Sequence, residues 1–300
     1  MELKSFSDQL ASVAARAGEA VVAVHARRGF NSSGVHWSKG VVVTADHTIR
    51  RDEGIRVTTP QGAVLAAELA GRDPGTDLAV LRVPGLEIPV AQRSESSSVQ
   101  AGSLALALGR FKDSASAALG VIGSVSGPSQ TWRGGKLDQV VRLSLAADPG
   151  ASGGAVVDAE GKLIGIATAA LSRVSAFAIP VATVARVTEN LLTHGRIPRG
   201  FLGIGLQPIA IPEHLKSKLN LPAAVGLLAV SVDQDGSAGK SGIVIGDILI
   251  ELGGRVLQRL EDLQIVLDSE SIGKKLKARL LRGGAVTEAE VTVGERPHKG

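Results

Sequence analysis

The chain has 300 residues and a net charge of +4; 37 residues are glycine, none is cysteine and 2% are aromatic. The missing cysteines exclude disulfides, thiolate nucleophiles and Cys-ligated zinc. The scattered basic residues form no stripe with interleaved aromatics, so no nucleic-acid partner is expected, and no apolar run is long enough to span a bilayer.

A chain of this length holds about two domains, and its short Val, Ile, Leu and Ala runs predict mainly β structure. Leu3, Phe6, Leu10, Val13, Ala14 and Ala17 recur at helical spacing, predicting an amphipathic helix that ends near Gly18. Met1-Glu2-Leu3-Lys4 lacks the basic-then-apolar order of a signal peptide. Either the protein stays in the cytoplasm or this chain begins after a removed segment. Residues 20–26 read as a buried strand, 27–33 as a turn-rich connection, and 35–37 with 40–44 as a hairpin.

That hairpin runs into Thr44-Ala45-Asp46-His47. A histidine just past a β-branched strand is placed rigidly, and neutral imidazole takes a proton near neutral pH. The other histidines are His25 in a strand, His36 in the hairpin, His194 and His214 in connections, and His298 in the tail. None has metal-ligand spacing, so no metal site is expected. Strands at 55–58 and 64–69 follow. Asp73-Pro74-Gly75-Thr76-Asp77 then leads into an apolar strand at 78–83. A carboxylate opening such a strand is costly unless hydrogen-bonded, and a histidine Nδ1–H is a suitable partner. The plain alternative is that Asp77 only caps the turn, and Asp73, inside the turn itself, is the natural decoy.

The polar stretch 94–100 reads as a link, with strands at 101–108, 117–126 and 139–145 beyond it. The loop 127–135, holding Trp132, is rich in Gly and Pro and is a candidate mobile element. Next comes Asp148-Pro149-Gly150-Ala151-Ser152-Gly153-Gly154-Ala155. Taken alone it is a Gly/Ser turn; with a base nearby its serine is a nucleophile, and its backbone N–H groups can hold a developing negative charge. The string also fits G-x-S-x-G, but a helix should follow that elbow. Here a strand, a Glu160-Gly161 turn and a second strand follow, which suits a chymotrypsin-like double barrel. In that fold the order is His, Asp, Ser, as in His47, Asp77 and Ser152.

Residues 6 to about 296 resemble the HtrA/Deg family of trypsin-like serine proteases with one C-terminal PDZ domain. The resemblance is carried by Val41-Val42-Val43-Thr44-Ala45-Asp46-His47, Thr76-Asp77-Leu78-Ala79-Val80-Leu81, Gly150-Ala151-Ser152-Gly153-Gly154 and Phe177-Ala178-Ile179-Pro180. It implies two six-stranded β-barrels followed by an α+β PDZ domain. It makes His47 the base, Asp77 its orienter and Ser152 the nucleophile, with the N–H groups of Gly150 and Ser152 lining an oxyanion hole. A triad of this kind needs no cofactor. Ala151 replaces the family's usual Asn, and Gly109-Arg110-Phe111-Lys112-Asp113 stands in place of Gly-Asn-Pro-Phe-Gly in a substrate-side loop. The segments 27–33 and 169–176 read as short loops, without a long regulatory insertion.

A helix over 181–192 closes the protease domain, assigned to 1–195, and 196–199 is a linker. Residues 200–296 form the PDZ domain and 297–300 a tail. Gly200-Phe201-Leu202-Gly203-Ile204-Gly205 resembles the carboxylate-binding loop, so Phe201, Leu202, Gly203 and Ile204 are expected to hold a peptide C-terminus, with Arg199 adding charge. Helix 260–267 has the pattern of the groove helix, with Leu263 and Val266 or Leu267 facing the groove. The chain from Glu295 is expected to be disordered. The resemblance further implies unfolded or misfolded protein substrates cut after small or medium aliphatic residues, C-terminal peptides at the PDZ groove, and a homotrimer. A rival reading is a peptide-binding chaperone or scaffold with a dormant protease domain.

Overall fold

The structure is a computed structural model that describes residues 2–26, 32–94, 99–111, 114–131, 133–145, 149–172 and 175–296. Trp132, Asp148, His298 and the tail 297–300 lie outside the described residues, as do parts of the segments 27–33, 94–100 and 109–113. The chain divides into two compact units, Met1–Ile197 and Pro198–Gly300. The division falls inside the expected linker.

The first unit opens with helix α1 (Glu2–Gly18). Strands β1 (Val21–His25), β2 (Ser32–Ser38), β3 (Val41–Ala45), β4 (Ile55–Thr58), β5 (Val64–Asp73) and β6 (Leu78–Arg82) then close a six-stranded barrel in the order β1-β2-β3-β6-β5-β4. Alternate side chains fill it: Val22, Val24, Val42, Ile55, Val57, Ala79 and Leu81 form one buried cluster. Burying such an aliphatic side chain stabilises the fold by about 1.5–3 kcal/mol. That places the strands flanking the His47 and Asp77 turns among the most firmly held parts of the unit.

The second barrel uses β7 (Leu104–Phe111), β8 (Ser114–Ser126), β11 (Val140–Ser144), β12 (Ala155–Val157), β13 (Leu163–Thr168) and β14 (Ala176–Pro180), in the order β11-β14-β13-β12-β7-β8. A small hairpin of β9 (Ser129–Gln130) and β10 (Lys136–Leu137) stands apart from it. Helix α2 (Val181–His194) buries Val184, Val187 and Leu191 in a cluster shared by both barrels and α1, and ends at Gly195 with φ 70°. Gly109-Arg110-Phe111 is the end of β7, paired with Ser116, Ala115 and Ser114 of β8, and not a loop as expected. His194 is the last residue of α2 rather than part of a connection.

In the second unit β16 (Ile204–Ala210), β17 (Val225–Val232), β18 (Ile248–Leu252), β20 (Lys275–Arg282) and β21 (Ala285–Thr292) lie side by side in that order, with β19 (Arg255–Val256) beside β18. Helices α3 (Glu213–Leu219), α4 (Ser237–Lys240) and α5 (Leu260–Val266) complete the unit. His214, expected in a connection, lies within α3. The chain from Glu295 was expected to be disordered. Instead β22 (Gly294–Glu295) pairs with β15 (Gly200–Phe201), and the Arg296 N–H donates to the Arg199 carbonyl at 2.9 Å.

Candidate active site and peptide groove

Register brings His47 and Asp77 together. Ala45 at the end of β3 lies opposite Leu78 at the start of β6. The residues just past one strand and just before the other must therefore meet. Asp77 takes up a left-handed backbone, φ 59°, a region uncommon for non-glycine residues and most open to Asp and Asn. In that pose its carbonyl accepts the Asp46 N–H at 3.1 Å and its carboxylate accepts the His47 N–H at 2.9 Å. The same carboxylate faces His47 Nδ1 at 2.8 and 3.0 Å through its two oxygens. Asp77 is 1% exposed, so its charge is sheltered from water and held by these donors. The arrangement puts a proton on Nδ1 and leaves Nε2 to act as a base.

The turn carrying His47 is gripped from outside. Arg72 Nε donates to Asp46 Oδ1 at 2.5 Å, and its Nη2 reaches the carbonyls of Asp46 and Ile49. Burial pushes the Asp46 carboxyl above the ordinary carboxylate range, further than the Arg72 guanidinium pulls it back. Asp73 takes no part in the pair. It caps its own turn, accepting from the Gly75 and Thr76 N–H groups and the Thr76 hydroxyl. The 127–135 segment docks on that turn: Thr131 Oγ1 donates to the Gly75 carbonyl at 2.6 Å.

Ser152 belongs to the second barrel and is 5% exposed. Its turn is fixed by Gly153, which has φ 84°; a Cβ there would lie 2.2 Å from the Ser33 carbonyl oxygen and 2.8 Å from the Ala45 nitrogen. The turn bearing Ser152 thus packs against the end of β3, two residues before His47. The Gly153 N–H donates to the Ala167 carbonyl. The next residue, Thr168, sends its hydroxyl to Asp77 Oδ2 at 2.5 Å. The turn that bears Ser152 and the His47–Asp77 pair are therefore brought together at the seam of the barrels.

Among the hydrogen bonds of the described residues, none joins Ser152 Oγ to His47 Nε2. Pro149–Ala151 forms a 3-10 turn. The Gly154 N–H donates to the Ala151 carbonyl at 2.8 Å.

In the second unit, α5 lies along the outer edge of β16, which pairs with β17 on its other side. Between them runs a groove of about 250 Å³ lined by Ile204, Leu206, Leu260, Leu263 and Leu267, with Arg199 and Arg296 also in its wall. Of the residues expected to hold a peptide, Ile204 lines this groove. Phe201, Leu202 and Gly203 are not in its wall. Leu202 packs in the core with its carbonyl bonded to the Ala238 N–H, and the Gly203 carbonyl accepts from Asp233. Phe201 lies in β15, with Arg296 over its ring at 5.9 Å. Leu267, rather than Val266, joins Leu263 in the wall.

Comparison with known proteins agrees with this geometry. Residues 32–166 match the trypsin-like peptidase domain, and 200–293 match the PDZ domain. The serine protease Do-like HtrA of Lactobacillus helveticus is 30% identical over 84% of this chain and 65% of its own length. The crystal structure of a serine endoprotease from Yersinia pestis superposes with TM-score 0.73 at 28% identity, covering 97% of this chain and 98% of that one. The HtrA-type protease AlgW with a decapeptide gives TM-score 0.73 at 26% identity, covering 96% and 99%. The chain belongs to the HtrA/Deg family of trypsin-like serine proteases with a PDZ domain. It spans about half to two thirds of the length of the curated relatives it matches.

Within this HtrA/Deg architecture, three residues near the site were not singled out by sequence reasoning. Thr168 and Ser33 sit in apolar or Gly/Ser stretches with no local signal. Arg110 lay in the segment taken for a loop. The only available cue was its charge next to an apolar run, and its partners lie about ninety residues away.

Proposed function

We propose that this HtrA/Deg chain is a serine endopeptidase working through His47, Asp77 and Ser152. The observation that carries the proposal is the His47 imidazole held at Nδ1 by a buried Asp77 carboxylate, next to the turn that bears Ser152. Ser152 Oγ bonds to the carbonyl carbon of a peptide as His47 Nε2 takes its proton. The N–H groups of Gly150 and Ser152 receive the negative charge that develops on the carbonyl oxygen. His47 then gives the proton to the leaving nitrogen, the C–N bond breaks, and an ester to Ser152 remains. Water attacks that ester with His47 again as base, releasing the acid and restoring the hydroxyl.

The β16–α5 groove is proposed to take the apolar C-terminal segment of a peptide, as a strand added to the free edge of β16, with Arg199 and Arg296 favouring its carboxylate. A related HtrA-type protease has been solved with a decapeptide. Unfolded chains expose such segments, which makes unfolded or misfolded proteins the proposed substrates. The second reading is a peptide binder with a dormant protease domain, in which the groove beside β16 works alone. Incubation with unfolded β-casein and labelling with a fluorophosphonate separate the two. The peptidase reading expects wild type to cleave and label, and Ser152→Ala to do neither. Wild-type protein that binds peptide but stays unlabelled and inactive would establish the dormant binder.

A further inference from the structure

Ser33 lies in β2 of the first barrel and is fully buried, yet four hydrogen bonds converge on it. Its N–H donates to the Ser152 carbonyl at 3.1 Å. Its hydroxyl donates to the Gly150 carbonyl at 2.7 Å and accepts the Arg110 N–H at 2.8 Å. Its carbonyl accepts the Thr44 hydroxyl at 2.6 Å, from the strand that leads to His47. A hydroxyl has one proton to give. Because Arg110 N–H can only donate, the Ser33 proton is directed at Gly150. The neighbourhood is cleared for this contact: Gly109 has no Cβ, and one placed there would lie 3.1 Å from Ser33 Oγ and 3.0 Å from the Ala151 Cα.

We infer that Ser33 is a positioning residue for the nucleophile, fixing the turn that carries Ser152 from the opposite barrel. Its two grips fall on the peptide units 150–151 and 152–153. The unit between them carries the Ser152 N–H, and the unit before them carries the Gly150 N–H. Those two N–H groups are the expected oxyanion donors. Ser33 thus brackets the part of the chain whose orientation decides whether charge on a substrate oxygen is met. Arg110 sets the hydroxyl and is itself anchored by Nε to the Val21 carbonyl and by Nη2 to the Gly18 carbonyl. The turn is thereby referred to the end of α1 as well as to β2.

This inference rests on the peptidase reading, and the test keeps the two apart. In the full chain, Ser33→Ala removes the hydroxyl with almost no change in volume. Ser33→Cys fills the same space with a weak donor. Ser152 sites are counted by exhaustive fluorophosphonate titration, and kcat per titrated site and KM are measured on a fluorogenic peptide. The expected result is a fall of about 10- to 100-fold in kcat per site with KM within about twofold. The labelling rate should fall as well, while thermal unfolding moves by only a few degrees. A merely structural role would lower the number of titratable sites and leave kcat per site unchanged. Either that outcome, or loss of folding in both variants, overturns the inference. Wild-type protein that neither labels nor cleaves removes the peptidase reading, and this inference with it. A wild type that works while both variants match it removes the inference alone.

Discussion

Replacing Thr168 by valine tests how the Asp77 carboxylate is held. Valine matches threonine in shape, so the change removes a hydroxyl and leaves the packing of β13. Asp77 is 1% exposed and takes hydrogen bonds from His47 N, His47 Nδ1 and Thr168 Oγ1. A hydrogen bond to a charged group is worth about 1.5–3 kcal/mol, and water cannot replace it at a buried oxygen. For a unit of this size each kcal/mol is about 2–4 °C of thermal midpoint, giving an expected fall of about 3–12 °C. In catalysis the same carboxylate faces an imidazolium, and a less firmly held carboxylate stabilises it less well. If the whole loss fell on the transition state, kcat would drop by at most about 10–150-fold, at 1.36 kcal/mol per decade. KM should change little, because Thr168 meets Asp77 and not the substrate. Thr168→Ser keeps the donor to Asp77 and the acceptor for the Ala170 N–H, and should stay within about twofold of wild type. Calorimetry and casein turnover on the three proteins measure both effects. A Thr168→Val protein with wild-type kcat and wild-type midpoint would refute the reasoning.

Two further predictions concern backbone and charge. Gly153→Ala places a Cβ at φ 84° against the backbone of Ser33 and Ala45. It should abolish fluorophosphonate labelling of Ser152, read by gel fluorescence, whereas peptide binding in the C-terminal unit, read by fluorescence anisotropy, should persist. In that unit burial of Asp247 raises its pKa, but the Arg282 guanidinium and the Val244 N–H outweigh it, and the carboxyl sits below the ordinary range. A pKa lowered by folding contributes stability that is present above the unfolded value near 3.9 and is lost as pH falls through the folded value. Amides of β18 should therefore exchange faster as pH drops below about 4, after correction for intrinsic rates. Asp247→Asn should flatten that dependence and weaken the unit at neutral pH.

The pairing of His47 with Asp77 was legible in the sequence because each stands at the edge of a strongly apolar strand. Once β3 and β6 are paired antiparallel, their ends must meet. The glycine-rich turn was equally legible, since the hairpin after Ser152 ruled out a helix. What failed were features whose cause lies far away in the chain. Arg110 reads as a loop residue until the carbonyls of Gly18 and Val21 are brought to it. Gly294–Glu295 is too short to be recognised as a strand without Gly200–Phe201 beside it. Helix α3 did leave local signs that went unread: Pro212 before it, Glu213 in its first turn, Leu215 and Leu219 four apart, and Asn220 with φ 48° as its stop. In the groove the loop residues were inferred from a motif, and the motif does not say that Leu202 is buried in the core while Ile204 and Leu206, packed against that core, line the groove.

The two halves of the active site are built by different means, and this bears on how activity is controlled. His47 and Asp77 are set by strand register inside one barrel, so any state in which that barrel is folded has the pair. The turn bearing Ser152, the proposed nucleophile, lies in the other barrel and is joined to the first by contacts across the seam. Ser33 holds the carbonyls of Gly150 and Ser152, Thr168 reaches back to Asp77, and Arg110 reaches α1 and β1. The His47–Asp77 pair is complete within its own barrel, whereas the turn bearing Ser152 takes its position from these contacts across the seam. Loss of the Ser33 grip should then alter kcat with little effect on barrel stability, unlike Thr168→Val, which also strips a buried carboxylate of a donor. Substitutions in the aliphatic interior of the first barrel, such as Val42→Ala, should do the reverse, losing folded protein while the sites that remain turn over normally.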